Sequence, residues 1–483
     1  MGTRTDASDT WPWPTEPPTA AHRAAYADAD PAPFWLDTPA RPDAGPALAE
    51  SIECDLAVVG AGLSGLWSAV LARERDPTRE VVVLEGDRVA NAASGRNGGF
   101  FISSLTHGIG NGLARFPDEL GTLERLGLDS FAATAEAIER YGIDCGFERT
   151  GDIVVALEPH ELEWLEEDAA LLRGHGHEVE MLDRDRVRAE VASDTYLAGR
   201  WQKSGSALVD PARLSWGLAR AVTGLGARIF ENTRVERLAR RDGAIELRTG
   251  GGTVRARRVV LATSAFPGLV GAIRRRVVPV YDYVLVTEPL SREQRDSIGW
   301  RRRQGVGDTA NQFHYYRLTA DDRILWGGFD AVYHYGSGLR RELEQSDRAF
   351  AMLAQHFFTT FPQLEGIRFS HRWGGAIDTC SRFFAFTGTS HGGRVAHTVG
   401  HTGLGVCASR FGAGLALDLL DGVESEAAGL RSMRSRPTPF PPEPLRWAAI
   451  ELTRNRLAAA DRRQGRRGLW LRTLDCLGLG FDS

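Results

Sequence analysis

The sequence predicts an α/β protein: a Rossmann-type dinucleotide-binding domain interleaved with an α+β domain built on a mainly antiparallel sheet. Three observations carry this expectation. Gly60, Gly62 and Gly65 stand at G-x-G-x-x-G spacing between an apolar run and a helical pattern. Glu85 closes a second apolar run, 20 residues after Gly65. Three β-branched runs, at 278–287, 313–318 and 324–329, then follow one another without a long helix between them.

In chain order, residues 1–50 are rich in Pro, Ala and Asp, punctuated by Trp11, Trp13, Phe34 and Trp35. They read as an extended arm tacked to the body by those aromatics. Residues 56–59 form a buried strand, and the three glycines supply a tight turn, close approach to a pyrophosphate, and helix-on-strand packing. Leu63 and Ser64 open a helix over 63–75, whose free N–H groups would face the phosphate. Asp76-Pro77 ends it. Residues 81–84 make the second strand, and Glu85 stands where an acid can accept hydrogen bonds from both ribose hydroxyls. After Gly86 and Arg88, the run Ala93-Ser94-Gly95-Arg96-Asn97-Gly98-Gly99 places three glycines and a guanidinium in a loop able to wrap an anionic or planar ligand.

Helices are expected over 120–141, 161–173, 211–225, 346–361 and 406–420, the last capped by Gly422. Strands are expected at 151–157, 245–247, 257–262, 371–378, 384–388 and 395–399. Residues 233–235 close the segment after the 211–225 helix. The tail from about Ser432 is Pro-rich, then basic and amphipathic over 445–471.

Composition excludes several classes. A net charge of −5 leaves no footprint for nucleic acid, and no apolar run approaches the roughly 18 residues a membrane span needs. Five scattered cysteines, none at C-x-x-C spacing, indicate neither a disulfide framework nor a metal site. The N-terminal stretch lacks a signal-peptide pattern, which makes the cytoplasm the expected compartment. Lys203 is the only lysine. The oligomeric state is left open.

Taken together, G-x-G-x-x-G with Glu85, the A-S-G-R-N-G-G loop, the Asp210-Pro211 helix leading to Val235, Val260-Leu261-Ala262-Thr263 and Gly400-His401-Thr402-Gly403 resemble the D-amino-acid oxidase/sarcosine oxidase family of FAD enzymes. H-Y-Y-R-L-T-A-D from His314 and W-G-G from Trp373 resemble its γ-glutamylputrescine oxidase-like subgroup. The likeness covers about residues 34–425. It implies a glutathione-reductase-like FAD domain (51–140, 201–270, 385–425) and a substrate domain (141–200, 271–384), with the arm (1–50) and tail (426–483) outside both.

The resemblance further implies FAD as the cofactor, expected without a covalent bond because the family's anchoring cysteine is displaced here. Gly60–Gly65, Glu85, Gly86 and Arg88 would serve its adenosine diphosphate moiety, and Val235 the adenine through backbone groups. Ala262 and Thr263 would end the strand beneath the pyrophosphate. Gly403, Leu404, Gly405 and Val406 would set a helix N-terminus against the flavin edge where charge collects on reduction, with Gly375 and Thr402 as further cofactor contacts. The implied reaction removes a hydride from a carbon bearing an amine nitrogen to flavin N5, and the imine then hydrolyses. O2 is the implied acceptor, giving H2O2, with another electron acceptor as the alternative. Tyr283, His314, Tyr316, Arg317, Trp373 and His401 are the candidate substrate-lining residues; aromatic faces suit a small-molecule amine.

Departures from the family pattern refine the reading. A substrate-binding lysine is replaced by Cys407, a loop arginine by Ile102, and an oxygen-activating lysine by Leu325. The place of a flavin-anchoring cysteine falls near Gly374, with Cys380 displaced from it. Loss of the carboxylate clamp favours an amine, or a substrate with a distal acidic group, over a simple amino acid. Two alternatives stand beside this one. The same fold could oxidise an amino acid, 2-hydroxy acid or aminophosphonate with Arg317 or Arg96 as anion clamp; or the chain could be a non-catalytic flavin-binding interaction protein. A hydroxylase-type G-D motif is not expected at Gly307-Asp308, which is not read as a strand.

Overall fold

The computed structural model describes residues 11–480, Pro267 apart. The parallel core of one sheet runs Val395–Val399, Gly252–Leu261, Ile52–Val59, Val81–Leu84, Arg228–Phe230, with Phe386–Ser390 antiparallel at its edge. The first strand is buried on both faces, and its alternate side chains feed two cores. Leu56 and Val58 pack toward the helices Leu63–Arg75, Pro211–Gly224 and Gly405–Asp421 through Leu66, Trp67, Leu214 and Leu417. Ala57 and Val59 pack toward Ile245 and Leu247 of the antiparallel meander Arg237–Arg241, Ala244–Thr249. The capping chemistry agrees with the sequence: the Asp210 carboxylate accepts the Arg213 N–H at 2.9 Å with Pro211 at the first helical position, and Gly422 ends its helix at φ +71°.

The second sheet has nine strands and is antiparallel except where Gly305–Asp308 runs parallel to Asp152–Ala156. Its long central strand, Val278–Thr287, pairs with Ile324–Gly328 on one side and Phe369–Thr379 on the other. The helix Asp347–Thr360 covers one face, burying Phe350 and Phe357 against Tyr283, Leu285 and Trp326.

Several expectations are revised. Gly307-Asp308 does end a strand, but in the second sheet, between Asp152–Ala156 and His314–Leu318. The boundary at residue 200 falls inside the strand Ala198–Gln202, which belongs to the second sheet. The amphipathic stretch 445–471 is two helices, Leu445–Asp461 and Leu469–Cys476, because Gln464 and Gly465 adopt left-handed backbone between them.

The arm lies on the body as its aromatics suggested. Trp13 stacks on His356 (centroids 4.4 Å, planes at 21°). Trp35 donates its indole N–H to the Asn97 carbonyl at 2.9 Å, and Phe34 packs edge-on to His371. Farther on, the Leu48 N–H reaches Thr233 Oγ1 at 2.9 Å. Among the described residues, no helix is long and apolar enough to cross a membrane. The first ten residues of the expected arm lie outside the described ones.

Candidate active site

The glycine turn is shaped by contacts that only glycine permits. Gly60 holds φ +104°, and a Cβ there would stand 2.4 Å from the Ala262 carbonyl oxygen; one on Gly65 would stand 1.8 Å from that of Gly60. Both contacts are with backbone, which cannot rotate away. The helix that follows has Gly62 as its N-cap and no side-chain cap, and the Leu63 N–H donates to Ser94 Oγ at 2.9 Å. The Glu85 carboxylate accepts from the Ala61 N–H (2.6 Å) and the Asp87 N–H (3.0 Å), while burial pushes its carboxyl up.

The loop from Ala93 to Gly99 is braced from outside the cavity. Trp373 donates its indole N–H to the Arg96 carbonyl at 3.0 Å, as Trp35 does to that of Asn97. The Asn97 side chain closes the loop on itself, accepting from the Gly99 N–H and donating to the Ala93 carbonyl. Opposite, Thr402 (φ +52°) and Gly403 (φ +95°) lead into the helix Gly405–Asp421, whose N-cap Leu404 makes no side-chain cap bond. Two helix N-termini, a glycine turn that admits close backbone approach and a loop with a guanidinium therefore fit an FAD.

Arg88 donates to the Pro42 carbonyl of the arm and stands 3.9 Å from Glu231, and Gly86 lies against Arg234. Val235 packs with Val82 and Leu84. Ala262 lines the cavity, whereas the Thr263 carbonyl accepts the Phe266 N–H.

The cavity has a volume of about 790 Å³ and extends from Leu63, Ser94, Arg96, Gly98 and Gly403 to the second sheet. Strand alternation decides which side chains enter it. On Val278–Thr287, Val280, Asp282 and Val284 line the cavity. Tyr283 points the other way, donates its hydroxyl to the Leu343 carbonyl at 2.9 Å and packs edge-on to Phe350. On His314–Leu318 the same rule puts Tyr315 in the cavity and His314 and Tyr316 behind the sheet. The Tyr316 hydroxyl meets that of Tyr196 at 2.6 Å. Arg317 is buried, donating to the Val209 carbonyl at 2.7 Å and lying over the Trp35 ring. Trp373 is wholly buried behind the Arg96 loop. Of the six substrate-lining candidates, the structure brings only His401 to the cavity; its Nδ1 is 3.4 Å from Asp378 Oδ2, and its buried Nε2 has no hydrogen-bond partner among the described residues.

Residues not singled out in the sequence take the vacated places. Asp282 pairs in register with Gly375, which lines the cavity beside Arg96, and accepts a short hydrogen bond from the Tyr315 hydroxyl. The Tyr315 ring lies against Gly98 of the cofactor loop. Burial pushes the Asp282 carboxyl up to about 6, against the hydrogen bonds from Tyr315 and the Tyr283 N–H that lower it. Tyr315→Phe removes one of these bonds and is expected to move the Asp282 titration upward from about 6, read as a shift in the acid limb of the pH–rate profile. Asp308, also on the cavity wall, is pushed up to about 7 by burial. Its Oδ2 lies 2.8 Å from His314 Nδ1, and His314 Nε2 lies 3.0 Å from His356 Nδ1, so a polar chain runs from the cavity into the core. The signal for Asp282 was present: one acid inside the otherwise uncharged run V-P-V-Y-D-Y-V-L-V-T.

The positions of the departures are equally definite. Ile102 and Cys380 line the cavity; Cys407 and Leu325 are buried in the apolar core behind it. The Cys380 thiol donates to the Phe384 carbonyl at 3.1 Å. Lys203 pairs with Glu180 at 2.8 Å and lies over Trp201, away from the cavity.

Comparison with known proteins agrees with this geometry. Residues 55–419 match the family model described as FAD dependent oxidoreductase (DAO). The chain is 33% identical over 382 residues to gamma-glutamylputrescine oxidoreductase of Escherichia coli, covering 78% of this chain and 85% of that one. It is 30% identical over 373 residues to the probable oxidoreductase OrdL of Haemophilus influenzae, covering 75% and 81%. Its fold is similar to that of glycine oxidase from Geobacillus kaustophilus, with a TM-score of 0.65 at 23% identity over 77% of this chain and 96% of that one. The matched segment runs from the first strand through the helix that follows Gly403, so it contains both halves of the cofactor cradle, and the chain belongs to the DAO family of FAD-dependent oxidoreductases.

Proposed function

We propose that this oxidoreductase acts on an amine, removing a hydride from the carbon that bears the nitrogen. The observation that carries the reading is the charge of the cavity wall. Among the described residues that line it, six are aspartates (Asp152, Asp168, Asp282, Asp308, Asp330, Asp378) and three are arginines. Each of those arginines already holds a carboxylate: Arg96 with Glu344 at 2.6 Å, Arg200 with Asp168 at 2.9 Å, and Arg454 with Asp330 at 2.6 Å. Such a wall attracts a cation and offers a substrate carboxylate no free clamp. The amino-acid and hydroxy-acid alternative loses its anchors, since Arg317 is spent on backbone carbonyls and Arg96 on Glu344.

Asp282 is the proposed proton acceptor. Ionised, it binds the ammonium group; taking one N–H proton onto its carboxylate leaves the nitrogen lone pair free to assist loss of the neighbouring C–H hydride. FAD, when bound, supplies the acceptor for that hydride. Tyr315 holds Asp282 in place, and the apolar wall excludes water from the reacting carbon. The C=N product hydrolyses to a carbonyl compound and an amine or ammonia. O2 is the proposed final acceptor, and the flavin is held without a covalent bond, since Gly374 offers no thiol and that of Cys380 is tied to a carbonyl.

The test is anaerobic mixing of the flavin-loaded protein with amines, glycine, sarcosine and D-alanine, followed by air. Amines are expected to bleach the visible flavin band faster than the amino acids, with rapid recovery in air. Faster bleaching by amino acids would defeat the amine reading, and slow recovery would defeat oxygen as acceptor.

A further inference from the structure

Part of the cavity is lined by a segment outside the family match, which stops at residue 419. After the short helices Glu426–Gly429 and Arg431–Arg434, the tail is held where Arg382 donates to the Ser432 carbonyl at 2.7 Å and Arg276 to that of Pro437 at 3.1 Å. It then passes over the second sheet. Arg454 of the helix Leu445–Asp461 pairs with Asp330 at 2.6 Å, and the Asp461 carboxylate accepts the N–H groups of Asn311 and Gln312, both at 3.1 Å. The returning helix Leu469–Cys476 is tied to the first by the Trp470 indole N–H on Thr453 Oγ1 at 3.0 Å, and Arg115 donates to the Gly480 carbonyl at 2.7 Å.

Thr453 and Arg454 of these ties reach the cavity, but most of what the tail turns inward is apolar: Phe440, Ile450, Leu457, Trp470 and Leu474 line it too. Helices usually bury such a stripe against a packed core, and protein interiors leave few voids larger than a water. Here the stripe faces open space, across from Phe313 and Phe329 of the second sheet. Where the tail does bring a charge to the chamber, at Arg454, it is neutralised by Asp330 and by Glu451 at 2.7 Å. A distal carboxylate would therefore be desolvated beneath this roof without a partner, and a second ammonium group would find Asp330 and Glu451 already bound to Arg454, costs that an apolar group escapes.

We propose that the C-terminal tail is the specificity wall of the enzyme, and that the chamber beneath it binds a bulky apolar substituent, an aryl or long alkyl group, on the amine. This rests on the amine reading: nitrogen at the acidic wall near Asp282, apolar body toward Trp470. A diamine or a zwitterionic amine has the right head and the wrong body.

The experiment compares phenethylamine, ethylamine and putrescine as reductants of the flavin-loaded full chain, in wild type, Leu474→Ala and Leu457→Trp. Phenethylamine is expected to show a KM at least about tenfold below those of the other two. Leu474→Ala should raise its KM several-fold more than that of ethylamine, and Leu457→Trp, which fills the chamber, should raise it further still. Equal shifts for both amines in both variants, or putrescine as the better substrate of the wild type, would overturn the proposal. A second readout needs no turnover: phenethyl alcohol, which has no amine, should raise the melting temperature of wild type and not of Leu457→Trp, with bound flavin confirming that the variant is folded. If no amine bleaches the flavin while this thermal shift is seen, the amine reading fails and the apolar chamber stands; no thermal shift in the wild type removes the chamber whatever the amines do.

Discussion

Asp282→Asn is expected to lower kcat/KM for amines by at least about a hundredfold, the usual reach of a positioned proton acceptor, while flavin stays bound. Asn keeps the size of the side chain and can still meet the Tyr315 hydroxyl, so the wall keeps its shape and loses its charge. The pH dependence separates this from a packing defect. With the carboxyl at about 6, kcat/KM of the parent should fall as pH drops through about 6, and that limb should vanish in the variant. Stability should move the opposite way. A carboxyl whose pKa is raised on folding stabilises the fold while protonated, fully below its unfolded value near 4, and that contribution is lost as pH rises through about 6. Above that pH the ionised Asp282 is a burden of roughly 2–3 kcal/mol, which Asn removes. Urea titration at pH 8 should show the variant more stable than the parent. A variant that is less active and also less stable there would mean that Asp282 is structural.

Gly65→Ala is expected to abolish flavin binding, and in most preparations folding with it. The new methyl carbon would lie 1.8 Å from the Gly60 carbonyl oxygen. Relief requires the helix Leu63–Arg75 to lift from the strand Ile52–Val59, whose Leu56 and Val58 it covers. The cost is at the upper end for an overpacked core, about 3 kcal/mol or more. Absorbance of the purified protein near 450 nm, scaled to the protein band, measures the loss. Gly403→Ala is the control: a Cβ there meets nothing within 4 Å, so only its φ of +95° is penalised and flavin should be retained in part.

What the sequence disclosed follows from what repeats along a chain. The helix Leu63–Arg75 and the strands Val81–Leu84, Val278–Thr287 and Val395–Val399 were legible to the residue, because glycine, proline and charge bracket each apolar run. The strands Arg237–Arg241 and Gly305–Asp308 were not: the first is R-L-A-R-R on an exposed edge, and the second is two glycines, a valine and an acid given strand form by their neighbours. The glycine turn of the first unit was readable because turns that glycine alone can make are written in glycine. The substrate side was not. In a run apolar on both faces, alternation gives no phase, so choosing tyrosines by their chemistry selected Tyr283 and Tyr316 over Asp282 and Tyr315, one residue away in each case. The tail's role was hidden for another reason: nothing in an amphipathic stretch tells whether its apolar stripe meets a core or a cavity.

The N-terminal arm leaves its mark on how the molecule is made. Trp35 finds Asn97 62 positions later, Leu48 finds Thr233 185 positions later, and Asp37 reaches His371 across 334. Its partners are distributed through nearly the whole of the remaining chain, so each tie closes a long loop and carries a large entropic cost. Were the arm lifted away, the Asn97 carbonyl would lose its indole brace, and the loop that curls around the cofactor would be held by its own side chains and by Trp373.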